Sequence, residues 1–251
     1  MNPVEAMDHA IWSRIHSQSL SGKYVFLSAS FPNPARRRDY FESSSPFEIT
    51  DATVEAAAAI LAAGGKLLSG GHPTIAPLLL SVARDFLEDL PVDVDRPVHV
   101  FQSSYFEDDI PEETRLLEEE GAGEIHFTKR HGQREESLLI MRREMLRMRP
   151  VAAILIGGME GVYDVNSPHS EYTLFTELCA GRPVYPIAAT GGAARLLWEA
   201  LMRGKESMRW SYSSIELNEC ESRVYPYLMT RIIEDIIAHE LDGFTSASAA
   251  R

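Results

Sequence analysis

Only two cysteines, Cys179 and Cys220, occur in the 251-residue chain. They stand far apart with no second pair, so neither a disulfide framework nor a zinc-ligand spacing is present. Both read as reduced thiols, and no metal or cofactor is expected. Positive charge is also scarce. Against 37 Asp+Glu there are 24 Lys+Arg, a formal charge of -13, and such a chain repels a polyanion unless its cations gather on one face. The run Arg142, Arg143, Arg147 and Arg149 recurs at helical spacing among glutamates and reads as a solvated, ion-paired helix face. No nucleic-acid partner is therefore expected. Long apolar runs are missing too, which excludes a membrane partner. The opening residues, with Glu5, Asp8 and His9, lack the basic start and unbroken apolar stretch of a secretory signal, so the expected location is the cytoplasm. No internal repeat or low-complexity linker divides the chain, which favours one domain.

What is present is an alternation of short apolar runs and helical patterns. Residues 24–27, 66–69, 98–101, 125–127, 151–156 and 184–187 read as buried strands. Asp51 is the expected cap of a helix through Val54, Ala58, Ile60 and Leu61 that stops at Gly64 and Gly65. Further helices are predicted from Thr74 or Pro77 to a stop at Pro91, over 133–148, over 171–180, and after Gly191 and Gly192 through Met202. Residues 107–123 are acidic and read as a solvated helix and turn. The repeated β-then-α order implies a Rossmann-like, three-layer α/β/α fold with a mainly parallel sheet. The expected boundaries are an N-terminal extension over 1–22, the domain over 23–243, and a flexible tail over 244–251. Residues 225–241 carry a helical apolar stripe that packs on the domain or on a partner chain.

In an open parallel sheet, ligands bind at the carboxyl ends of the strands. Four loops there combine small residues with a following helix. They are Ser28-Ala29-Ser30 after the first strand, Gly70-Gly71-His72-Pro73-Thr74 after the second, Gly157-Gly158-Met159-Glu160-Gly161 after the fifth, and Thr190-Gly191-Gly192 after the sixth. Their lack of side chain lets a phosphate approach the main chain. A tight strand-to-helix turn is the alternative for any one of them. None matches the Walker sequence or GxGxxG with its downstream acid, which disfavours a simple ATPase or a nicotinamide dehydrogenase.

Together these four motifs, in this order between about Lys23 and Leu201, resemble the SLOG superfamily, which is named for the DNA-processing Smf/DprA proteins and the LOG cytokinin-activating enzymes. The sequence is most similar to the SLOG nucleotide-sensor domains of bacterial conflict systems linked to TIR-type effectors. The resemblance implies a sensor for an NAD-derived nucleotide such as ADP-ribose or a cyclic ADP-ribose isomer. It also implies a homodimer or higher homo-oligomer and, since no effector domain is expected in this chain, a separate effector protein. The alternative is a LOG-like N-glycoside hydrolase or transferase acting on a nucleoside monophosphate. LOG enzymes carry PGGxGTxxE, with the glutamate working beside an arginine. Here the leading proline is missing, Val162 stands for the threonine and Val165 for the glutamate, and Glu171 follows six residues later.

Glu171 is the one candidate for a catalytic acid or base, with helix capping as its other reading. His72 can donate to a phosphate or to a base, or make a local turn contact. The hydroxyls of Ser28, Ser30, Ser69 and Thr190 suit phosphate or ribose; no paired base marks any of them as a nucleophile. Arg36, Arg37 and Arg38 can fold over an anionic ligand or form a solvated loop.

Overall fold

The computed structural model describes residues 19–35, 38–87, 96–159, 168–203 and 217–249. Six strands form one sheet: β1 Tyr24–Ser30, β2 Lys66–Gly70, β3 Val98–Ser103, β4 Gly123–Thr128, β5 Ala152–Gly157 and β6 Val184–Ile187. Their spatial order is β4-β3-β2-β1-β5-β6, and every pairing is parallel. The chain builds outward from β1 to β4, then returns to add β5 on the other side of β1. The reversal leaves a crevice beyond the carboxyl ends of β1 and β5, the usual ligand position in such sheets.

The period-2 alternation of side chains along a strand sends successive apolar residues into two separate cores. Val25, Leu27, Leu67, Val98, Val100, Ile154 and Ile156 face one side. There they meet helices α2 Pro46–Ala62 and α3 Ala76–Phe86 and the final helix, α8 Tyr225–Ala249. Phe26, Leu68, Phe101, Ala153 and Leu155 face the other, against α5 Arg134–Leu146, α6 Pro168–Leu178 and α7 Gly192–Arg203. A short α1 spans Arg38–Glu42, and α4 spans Glu112–Glu119 beside edge strand β4. This is the expected Rossmann-like three-layer arrangement. No helix among the described residues is long and apolar enough to cross a membrane.

One local expectation is corrected. Helix α2 begins at Pro46, with Ser45 Oγ accepting from the Glu48 amide at 3.3 Å. Ser45 is therefore the cap, and Asp51 lies within the second turn. Pro46 suits the first turn, where its missing N–H has no helical partner to lose. The stripe on α8 is used within the chain: Leu228, Met229, Ile232, Ile233 and Ile236 are buried in the first core, each worth about 1.5–3 kcal/mol of transfer free energy. The small faces of Ala52, Ala56 and Ala59 on α2 let the two helices approach. Backbone helix continues to Ala249, beyond the residues at which composition predicts the domain to end. The N-terminal extension, through residue 18, and Pro91 lie outside the described residues.

Candidate functional site

A cavity of about 420 Å³ opens at the carboxyl ends of β1 and β2, between the sheet and α5, within the roughly 300–1,000 Å³ usual for small-molecule sites. Strand alternation places Phe26, Ser28 and Ser30 of β1 on the side that α5 covers. The end of β2 contributes Gly70, the loop after it Gly71 and His72, and β3 Gln102. Phe26, Phe106, Leu138, Met141 and Met145 supply an apolar wall.

The polar floor of the cavity is an ion pair. Arg142 Nε donates to Glu171 Oε1 at 2.8 Å, and the two side chains are only 9% and 8% exposed. Ser28 Oγ donates to the second carboxylate oxygen, Glu171 Oε2. Three elements thus meet at one carboxylate: β1 through Ser28, α5 through Arg142 and the first turn of α6 through Glu171. The expectation that Arg142 belongs to a solvated face is wrong. Leu138, Met141, Arg142 and Met145 stand at i, i+3, i+4 and i+7, so Arg142 occupies a slot in the buried stripe of α5. That spacing was the available signal, and the surrounding charged residues hid it.

His72 lies on the cavity wall with its pKa lowered by burial. Its Nδ1 accepts from the Thr74 amide at 3.4 Å and lies 2.9 Å from Thr74 Oγ1. The ring proton therefore belongs on Nε2, which makes the neutral imidazole a donor there. The amides of the glycine turn are already engaged. Gly71 N donates to Phe101 O, His72 N to Gly70 O, and the Ile75 and Ala76 amides to His72 O. In this conformation the two glycines provide room rather than a nest of free N–H groups.

Of the residues singled out in the sequence, Ser28, Ala29, Ser30, Ser69, Gly70, Gly71, His72, Met159 and Glu171 come together around the cavity. Thr74 braces His72 from behind. Gly157, Gly158, Thr190, Gly191 and Gly192 are not among the lining residues; they join the loops after β5 and β6 to each other. Gly157 N donates to Thr190 Oγ1 at 2.9 Å, and Ala193 N to Gly158 O at 3.0 Å. Gly191, at φ 73° and ψ -154°, adopts a conformation essentially restricted to glycine. A Cβ there would stand 2.0 Å from Ser43 O. Arg38 pairs with Glu42 at 2.7 Å on the exposed surface of α1. Arg36, Arg37, Glu160 and Gly161 lie outside the described residues. Sequence reasoning missed Arg142, Arg134, Gln102 and the apolar wall.

Residues 39–216 match the SLOG cluster3 family. No curated protein matches the chain. The match spans most of the sequence and takes in β1-adjacent α1 through α7, including every element that meets at Glu171 except β1 itself. The chain belongs to the SLOG cluster3 family.

Proposed function

We propose that this SLOG cluster3 protein binds a phosphorylated, nucleotide-derived small molecule in the cavity above β1 and β2, acting as a sensor in a bacterial conflict or stress system. ADP-ribose, a cyclic ADP-ribose isomer or another NAD-derived nucleotide is the ligand class. The observation that carries this reading is the cavity's lining, which combines large apolar side chains with hydrogen-bonding ones. The wall of Phe26, Phe106, Leu138, Met141 and Met145 suits a base. The same lining presents the Ser30 hydroxyl, His72 and Arg134, which donate to phosphate or ribose oxygens, and Ser28 Oγ, whose proton goes to Glu171 and which accepts from a ribose hydroxyl. Because the glycine-turn amides are engaged, side chains rather than main chain carry the recognition of the anion.

A second reading is favoured by the ion pair. A buried carboxylate fixed by a guanidinium and a hydroxyl, and facing a nucleotide-sized cavity, is equipped for N-glycoside hydrolysis. Water oxygen would bond to the anomeric carbon as the bond from that carbon to the base nitrogen breaks. Glu171 would take a proton from the water and return it to the nitrogen of the departing base, leaving the ribose hydroxyl, the free base and the carboxylate. Glu171 then works beside an arginine, as in LOG enzymes, although the intervening sequence differs.

One incubation separates the two. With AMP, NAD, ADP-ribose and cyclic isomers, thermal shift reports which compound binds and chromatography reports whether free base appears. Stabilisation without base release supports the sensor. Base release that disappears in Glu171→Gln supports the hydrolase, and base release that persists in that variant removes Glu171 from the chemistry.

A further inference from the structure

A second cluster of functional side chains lies on the two outermost strands of one edge, among residues that do not line the cavity. His99 is the second residue of β3 and is paired in register with Glu124 of β4. His126 follows two positions after Glu124, so the pleat brings both to the same face beside His99. His99 Nδ1 lies 2.8 Å from His126 Nε2, and Glu124 Oε2 lies 3.8 Å from that same nitrogen. One ligating atom from each residue falls within 4.8 Å of those of the other two.

These three atoms have more lone pairs than protons to share. A carboxylate is acceptor only, and each neutral imidazole carries a single N–H. His126 Nε2 can serve one of its two neighbours as a donor, not both. His99 is 6% exposed, next to Val98 and Val100 in β3, where a charged ring is disfavoured. Among the described residues, its Nε2 has no hydrogen-bond partner.

We propose that His99, Glu124 and His126 form a binding site for a first-row divalent metal ion of the zinc class. Two imidazoles and one carboxylate are a zinc donor set, with water completing the shell. At Zn–N distances of about 2.0–2.1 Å, tetrahedral geometry separates two nitrogens by about 3.3 Å. To admit the ion the imidazoles part by about half an ångström and turn from their nearly parallel arrangement, with an interplanar angle of 9°, so that both lone pairs meet it; His126 and Glu124 on edge strand β4 are partly exposed. Two nitrogen donors favour zinc over magnesium or calcium, which take oxygen ligands. Bound metal would tie edge strand β4 to β3.

The test uses the full chain stripped with chelator and titrated with Co²⁺ and then Zn²⁺. Wild type is expected to take up about one ion per chain, with visible cobalt d–d absorption that zinc abolishes and magnesium does not, and with a zinc-dependent rise in Tm. Glu124→Gln and His126→Gln alter partly exposed side chains, and a melting temperature near that of apo wild type is the fold control for each. In each, affinity is expected to fall by more than the roughly 10–100-fold that loss of an outer-shell partner costs. A Cys179→Ser/Cys220→Ser control is expected to retain the site. Absence of cobalt absorption and zinc uptake in wild type, or equal uptake in His126→Gln, overturns the proposal.

Discussion

Arg142 and Glu171 face each other across the floor of the cavity at 2.8 Å, nearly sealed from solvent, although 29 residues separate them in the chain. Removing one member of such a pair leaves the other charge buried and unpaired, at a cost of about 3–5 kcal/mol. Arg142→Met is expected to lower the denaturation midpoint accordingly. The double variant Arg142→Met/Glu171→Leu, which removes both charges, is expected to recover much of the loss. Urea titration of the three proteins checks this. A single variant as stable as wild type would show that the pair is not closed in solution.

Ser45 rather than Asp51 starts α2. Ser45→Ala is expected to cost about 1 kcal/mol by leaving the Glu48 amide without its acceptor, whereas Asp51→Ala in the second turn is expected to change stability little. Paired thermal melts compare them, and the reverse ranking would move the helix start.

Burial lowers the His72 pKa below its ordinary value near 6.5. The unfolded chain then binds more protons than the folded chain just below that pH, so stability rises with pH through this window. The contribution is complete above about pH 6.5 and is lost as pH falls through the lowered folded-state pKa. Stability measured from pH 7 downward is expected to fall less steeply in His72→Gln than in wild type. Identical slopes would place the His72 ring in solvent.

The sheet was legible because each strand is a short apolar run ended by glycine, proline or a cap, and alternation within it feeds two cores. The pocket was half legible. Small residues at β1 and β2 marked its mouth, but Gly191 and Gly192 answer to close backbone approach between neighbouring loops, and Gly157 to the Ile49 side chain and the Ser30 carbonyl. Local pattern does not distinguish a glycine that clears space for a ligand from one that clears space for main chain. Arg142 was misread because its charged neighbours Arg143 and Glu144 resemble a solvated face, whereas Leu138, Met141 and Met145 fix its direction inward. His99, Glu124 and His126 lie on two strands separated in sequence, and only the parallel register of β3 with β4 brings them together.

The central claim is that the cavity binds a phosphorylated nucleotide, and Gly70 offers the cleanest probe of it. A Cβ built there meets only Met141 Cε, at 3.6 Å, an ordinary contact, so the side chain of Gly70→Val enters cavity space at a β2 position. Isothermal titration of ADP-ribose and its cyclic isomers into wild type and Gly70→Val, with melting temperature as the fold control, is the most direct measurement. The expected result is saturable binding of at least one of these compounds to wild type and at least about tenfold weaker binding, about 1.4 kcal/mol, to a variant of near wild-type Tm. No binding by wild type, or equal affinity in a folded Gly70→Val, would contradict the account.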